Sequence, residues 1–282
     1  MNFCIIIPAH NEANYIAKTL DSLVNQSLLP KQLVVVNDNS TDDTEGIVNS
    51  FIENHSWISI VNIRSSEEHL PGSKIVNAFN KGLESLDENY DVICKFDADL
   101  IFPENYLEQL AYHFNNNSKL GMAAGFCYIK KNEKWILENL TNKDHIRGAL
   151  KAYKKECFEN IGGLKPSMGW DTIDELLAQY HGWDILTDES LKVKHLKPTG
   201  STYNKAAKFL QGEAMYKMRY GFWLTLITGL KLSLKKKRIA LFFDYMSGFF
   251  KAKKENQSYL VSEDEGNFIR ALRWRGIREK IF

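Results

Sequence analysis

Through the first hundred residues, short apolar runs alternate with longer stretches in which apolar positions recur every three or four residues. The runs Phe3–Ile7, Gln32–Val36, Ile58–Ile63 and Asp91–Phe96 predict strands, and Tyr15–Asn25, Thr41–Asn54 and Lys74–Leu86 predict helices between them. Such alternation is the signature of a parallel sheet with crossover helices. The strand runs are apolar on both faces, as a sheet covered on both sides requires. Open sheets of this kind bind ligands at the carboxyl ends of their strands, so chemistry is expected directly after each run. Farther on, Leu120–Ile129 and Arg147–Ala152, then Gly162-Gly163-Leu164 and a helical Asp174–Tyr180, predict a mixed sheet with one more helix. Beyond Gly200 the pattern is helical to the end, and the stretch Lys197 to Ser201 is the natural boundary between residues 1–200 and 201–282.

Composition changes this picture only when read by region. The 282 residues carry 36 Lys and Arg against 35 Asp and Glu, with 44% hydrophobic and 25% charged residues, the profile of an ordinary globular chain. The segment Lys205–Glu255 holds twelve Lys and Arg against Glu213, Asp244 and Glu255. Its charge of +9 leaves −8 for the rest. An acidic body thus carries a basic, aromatic-rich tail. Overall balance gives no broad phosphate-binding field, so nucleic acid is not an expected partner. Cys4, Cys94, Cys127 and Cys157 lack zinc spacing, and the first three sit in apolar runs, as buried thiols of a reducing compartment do. The first residues have no basic region and too short an apolar run for a signal peptide, which predicts a cytoplasmic protein.

The unusual residues lie after the strands: Pro8-Ala9-His10-Asn11-Glu12, then Asn37-Asp38-Asn39-Ser40, then Asp97-Ala98-Asp99. Two carboxylates leaving a buried strand together can hold Mg²⁺ or Mn²⁺ against a diphosphate, though Asp-x-Asp is also an ordinary turn sequence. Asp38 reads either as a turn carboxylate or as an acceptor for a nucleobase N–H, and Ser40 or Thr41 as the cap of the next helix. Glu12 reads equally as a first-turn acid. Pro71-Gly72-Ser73-Lys74 either simply starts a helix or offers backbone N–H groups and Lys74 to a diphosphate. It is not a Walker A loop, and no Gly-x-Gly-x-x-Gly follows the first strand, which disfavours a dinucleotide oxidoreductase.

Taken in order, Ile6-Ile7-Pro8-Ala9-His10-Asn11-Glu12, the Val34–Asp42 run, Asp97-Ala98-Asp99 and Gly162-Gly163-Leu164 resemble family 2 glycosyltransferases over about residues 1–200. The resemblance implies an α/β GT-A fold, a Rossmann-like mixed sheet, here with a C-terminal helical extension. It implies a metal-dependent, inverting transfer of a sugar from a nucleotide-sugar, UDP-linked in the first instance. The acceptor would be a glycan or a lipid-linked molecule in cell-surface polysaccharide synthesis. It places Pro8, Ala9, Glu12 and Asp38 near the nucleoside, Asp97 at the ribose or the metal's water shell, and Asp99 on Mn²⁺ or Mg²⁺, with His195 as a further ligand. Counting back from Gly182 sets Asp171 on the family's helix-opening aspartate, the expected general base, with Asp174 and Glu175 as alternates. Where the family often has Glu, this chain has Trp170, an aromatic plate for an acceptor sugar. Asp171 also reads as a cap for a helix beginning at Thr172.

Two rivals share the carboxylates and the α/β pattern. A sugar-phosphate nucleotidyltransferase would show a glycine-rich basic loop where Pro8–Glu12 stands, and would release pyrophosphate. A non-catalytic nucleotide-sugar-binding scaffold would keep the fold without turnover. In the tail, Tyr220 to Leu230, Lys235-Lys236-Lys237-Arg238, Leu241-Phe242-Phe243 and Phe249-Phe250 predict helices too interrupted by charge to span a bilayer. They suit an anionic surface on the inner face of the cell membrane. They suit equally well packing on the body or a contact in a homo-oligomer.

Overall fold

The structure, a computed structural model, describes residues 1–65, 72–138, 143–197 and 209–281. The first half is the predicted alternation: β1 (Phe3–Ala9), α1 (Ile16–Val24), β2 (Gln32–Asp38), α2 (Thr44–Ile52), β3 (Ile58–Ile63), α3 (Ser73–Leu83) and β4 (Val92–Phe96). After it come β5 (Leu100–Ile101), α4 (Tyr106–Asn116), β6 (Leu120–Lys131), β7 (Lys134–Leu137), β8 (Leu150–Lys154), α5 (Lys155–Asn160), α6 (Trp170–Tyr180) and β9 (Asp184–His195). Four helices close the chain: α7 (Leu210–Lys217), α8 (Gly221–Lys235), α9 (Ala240–Lys254) and α10 (Glu263–Ile281).

One sheet of the order β3-β2-β1-β4-β8-β6-β9-β5 runs through the molecule, with β7 paired to β6. The β3-β2-β1-β4 half is parallel. At β8 the direction reverses, because β8 runs antiparallel to both β4 and β6. The parallel half therefore sends its carboxyl ends to one edge, and β5, paired antiparallel to the end of β9, folds over that edge with Leu100 opposite His195. The interiors of β1, β2 and β4 are buried Ile, Val, Leu, Cys and Phe except for Lys95 in β4, which is why those strands read as apolar runs. All four cysteines are buried free thiols.

Differences from the sequence reading are local and have local causes. Neither Ser40 nor Thr41 caps α2, which begins at Thr44. Asp42 Oδ1 accepts the Thr44 N–H at 3.1 Å and its hydroxyl at 2.5 Å. Ser40 and Thr41 instead tie down the loop after β1: Asn11 N–H donates to Ser40 Oγ and Thr41 N–H to Asn11 Oδ1. The last helix before β9 starts at Trp170, four residues earlier than its periodicity suggests. Gly169 stands before it at φ +76°. Asp171 is thus inside the first turn and is not the cap. The expected boundary at 197–201 and Pro71 fall mostly or wholly outside the described residues.

The C-terminal helices are not a detached unit, because Met215, Met218, Leu224 and Ile269 belong to the same buried cluster as the sheet. A methyl group at Gly212 would lie 1.9 Å from the Tyr245 carbonyl oxygen, and one at Gly248 2.1 Å from that of Phe209. Helices α7 and α9 therefore meet backbone to backbone. Gly212→Ala is expected to cost about 1–3 kcal/mol of stability through overpacking. An unchanged urea midpoint would show that the two helices part freely.

Candidate active site

The carboxyl ends of β1, β2 and β4 open onto a cleft of about 610 Å³, within the range of small-molecule sites. Seven of the sequence-selected residues line it together: Pro8, Ala9, Glu12, Asp38, Lys74, Asp97 and Asp99. The loop carrying the first three is held by its neighbour, since Glu12 N–H donates to Thr44 Oγ1 and Ala13 N–H to Asp42. Glu12 meets Lys197 Nζ at 2.6 Å through Oε1, while its Oε2 is buried without a hydrogen-bond partner. Burial raises the Glu12 carboxyl above its usual range, Lys197 partly offsets this, and Asp99 and Asp97 add to it. A buried carboxylate oxygen without a partner is costly and is ready to accept from a polar ligand. Asp38 accepts from both the backbone N–H and the hydroxyl of Ser65, at 2.9 and 2.7 Å, so its carboxylate also fixes the turn after β3.

Asp99 and His195, remote in sequence, are brought together by the β5–β9 pairing, and Leu196 N–H donates to the Asp99 carbonyl at 2.8 Å. His195 Nε2 lies 3.4 Å from Asp99 Oδ2, and Nδ1 lies 2.9 Å from Glu138 Oε2. Glu138 is in turn paired with Arg147. Burial pulls the His195 imidazole down, but its contacts with Asp99 and Glu138 prevail and hold its pKa up at about 9. Ligand atoms of Asp97, Asp99 and His195 all lie within 4.8 Å of one another. Two carboxylate oxygens and an imidazole fit Mn²⁺ or a similar divalent cation, and a histidine oriented from behind by a carboxylate is the usual outer support of such a ligand. Cys127, Glu138 and His195 also converge. With Glu138 already bound to His195 and Arg147, and burial raising the Cys127 thiol to about 12, that group serves better as backing.

Asp171 is not among the residues lining this cleft, and buried contacts link its helix to Asp97. Lys95, fully buried in β4, pairs with Asp97, donates to the Gly148 carbonyl at 3.1 Å and lies 5.5 Å above the Trp170 ring. A methyl group at Gly148 would sit 2.9 Å from the Trp170 ring and 3.3 Å from Asp171 Cβ, so the bare backbone there makes room for the start of α6. Asp171 keeps 34% of its side chain exposed and meets His145 Nε2 at 3.8 Å. Burial raises its carboxyl, but His145 and Lys151 outweigh that and hold it below the usual range.

The alternates Asp174 and Glu175 differ from it in kind. Lys151, wholly buried, donates to the Asp171 carbonyl at 2.5 Å and pairs with Asp174 at 2.8 Å and Glu175 at 3.2 Å. Tyr153 donates to Asp174 at 2.5 Å, and Ile146 N–H and His145 fill the Glu175 oxygens. Both carboxylates are saturated and nearly sealed from water, so neither can meet an acceptor hydroxyl. Trp170 is likewise no open plate: it is 7% exposed, with the Lys95 and Lys151 ammonium groups over its ring. Its aromatic face is taken up by cations of the interior.

Sequence reasoning missed Lys95, Lys151, Lys197, His145, Glu138 and Arg147. A lysine inside an apolar strand run is the one signal that could have flagged Lys95 and Lys151, because an unpaired ammonium is not buried.

A parallel half-sheet with carboxylates at its strand ends, continued by a mixed half that returns a histidine to them, is the GT-A fold of glycosyltransferases. The sequence matches glycosyl transferase family 2 over residues 4–167, and the chain belongs to that family. It is 34% identical over 145 residues to "Probable glycosyltransferase YdaM" of Bacillus subtilis (strain 168), covering 50% of this chain and 33% of that protein. The chain spans less than two thirds of the length of the curated relatives that it matches. Two solved structures share its fold. S. aureus TarS 1–349 in complex with UDP-GlcNAc has TM-score 0.57 and 18% identity, over 78% of this chain and 65% of that one. The mannosyltransferase PcManGT from Pyrobaculum calidifontis in complex with GDP-Man and Mn²⁺ has TM-score 0.58 and 16% identity, over 100% and 81%. Family membership sets aside the nucleotidyltransferase alternative.

Proposed function

We propose that this chain moves a sugar from a nucleotide-sugar to a hydroxyl of a glycan or lipid-linked acceptor, with inversion at the anomeric carbon. The observation that carries this reading is the single cleft in which Glu12, Asp38, Asp97 and Asp99 converge, with the buried Glu12 Oε2 lacking a partner. Pro8, Ala9, Glu12 and Asp38 receive the nucleoside, Asp97 the ribose or the cation's water shell, and Lys74 the diphosphate. Asp99 and His195 hold a divalent cation, Mn²⁺ or Mg²⁺. When bound, such a cation neutralises charge on the departing nucleoside diphosphate. Asp171 takes the proton of the acceptor hydroxyl as that oxygen bonds to the anomeric carbon and the bond to the diphosphate breaks. Complexes of the two fold relatives with UDP-GlcNAc and GDP-Man support a nucleotide-sugar donor, and a UDP-sugar is our first candidate.

The test is thermal unfolding with UDP or GDP, each with Mn²⁺ and with chelator. One nucleotide with Mn²⁺ is expected to raise the midpoint, by an increment that corresponds to about 2.7 kcal/mol at a hundredfold excess over its dissociation constant. Asp99→Ala is expected to abolish the metal-dependent part. Stabilisation that is indifferent to both metal and Asp99 would overturn the proposed cation site.

A further inference from the structure

Helix α8 is packed largely inside out, and α9, which buries Tyr245 and Phe249, also leaves large apolar side chains outside. Helix α8 buries Thr225, Gly229 and Ser233, a small and polar stripe at every fourth position, together with Leu224. Its large apolar residues Trp223, Leu230 and Leu234 face outward, Trp223 at 65% and Leu234 at 62% exposure. On α9, Phe243 and Phe250 face outward, Phe243 at 63%, and Ile239 just before the helix joins them. A helix of a water-soluble body ordinarily does the reverse. The two outward stripes adjoin, with the Phe222 and Phe250 ring centroids 6.1 Å apart, and Gly229 of α8 faces Phe242 and Tyr245 of α9. Contiguous apolar surface of this kind marks contact with another phase or partner.

Charge identifies the occupant. From Gly221 to Lys254 the hairpin carries eight cations, Lys231, Lys235, Lys236, Lys237, Arg238, Lys251, Lys253 and Lys254, and one carboxylate, Asp244, which is buried. The cluster Lys235–Arg238 forms the link between the helices, directly beside Leu234 and Ile239. A twofold contact with a second copy through this same face would set these cations against each other. No helix among the described residues is long and apolar enough to cross a membrane; the 15-residue α8 is about 22 Å long against a hydrocarbon core of ~30 Å. We propose that the α8–α9 hairpin lies on an anionic lipid bilayer, with Trp223, Leu234, Ile239 and Phe243 entering the interface and the lysines at the headgroups. This rests on the hairpin alone and does not depend on the reaction proposed above.

The experiment is flotation of the full chain with phosphatidylglycerol-containing vesicles and with phosphatidylcholine vesicles, at low and high salt. Binding to the anionic vesicles is expected to exceed that to the neutral ones at least ~10-fold and to fall with salt. Changing Lys235, Lys236, Lys237 and Arg238 to Gln is expected to weaken it by at least ~10²-fold. The double variant Trp223→Ser with Phe243→Ser is expected to lose it while keeping wild-type circular dichroism. Tryptophan emission is expected to shift to the blue on adding vesicles, and Trp223→Phe to remove the shift while binding persists. Failure of the wild type to bind anionic vesicles overturns the proposal, as does equal binding to both vesicle types. A concentration-dependent dimer in sedimentation, abolished by the double Ser variant and accompanied by no vesicle binding, would assign the face to a second copy instead.

Discussion

Asp171→Asn is expected to lower sugar transfer ~10³-fold while leaving metal-dependent nucleotide binding unchanged. The substitution keeps the shape of the side chain and its place in the first turn of α6, and removes only the charge that would accept the proton. Asp171 is not among the residues lining the donor cleft, which is why binding and transfer separate. The pH profile supplies a second readout. Because His145 and Lys151 hold the Asp171 carboxyl below its usual range, the base is ionised throughout the neutral region and transfer should have no acid limb near pH 6. Burial depresses the His145 imidazole, but Asp171 and Glu175 outweigh it and raise its pKa to about 9. Its pairing is therefore complete below its ordinary value of 6.5 and is lost as pH rises through about 9. Transfer should fall on that alkaline side because Asp171, still ionised, loses the pairing with His145 that orients it. Assays would measure kcat/KM for the acceptor and nucleotide affinity by calorimetry. Transfer within tenfold of wild type in the Asn variant would remove Asp171 from the role of base.

Lys151→Met is expected to destabilise the protein by about 3–5 kcal/mol, the cost of leaving buried carboxylates without their cation. Burial works against the Lys151 ammonium, but Asp174, Glu175 and Asp171 outweigh it and keep it charged. With its side chain wholly enclosed, no water can replace it beside Asp174 and Glu175. The variant also loses the 2.5 Å bond to the Asp171 carbonyl, so the start of α6 should shift and transfer should fall along with stability. Urea unfolding measures the first effect. Adding Asp174→Asn should recover part of the loss, because one of the stranded charges is then gone. A single variant that unfolds within about 1 kcal/mol of wild type would mean that the cluster relaxes around its own charges.

The donor side of the site was legible in the sequence because its residues are local to strand ends. Once β1, β2 and β4 are read as apolar runs, the segments after them are flagged by position, and the family resemblance picks out Ala9, Glu12, Asp38, Asp97 and Asp99 within them, all of which line the cleft. His195 could be nominated but not placed, since its approach to Asp99 depends on β5, a two-residue strand that no periodicity reveals. The support of Asp171 was illegible for a different reason. Lys151 and Tyr153 occupy alternate positions of β8 and look like one polar edge until the fold buries both against Asp174. Trp170 was assigned to an open face because an aromatic ring at a helix start can turn either way, and only the two ammonium groups above it decide which. In the tail, the sequence shows aromatics beside lysines, whereas the exchange of inside for outside in α8 is a property of packing.

Lys95 carries a consequence for how such a protein can diversify. It grips Asp97 on the donor side and covers Trp170 at the head of α6 on the other. The roles proposed for Asp97 and Asp171 are therefore not separable. A lineage that remodels α6 to accept a new molecule must keep an aromatic or an equivalent partner beneath that ammonium, or the Asp97 carboxylate loses its anchor. Laboratory libraries meant to retarget the acceptor should accordingly hold positions 95, 97 and 170 together as one inherited unit and vary the residues around them.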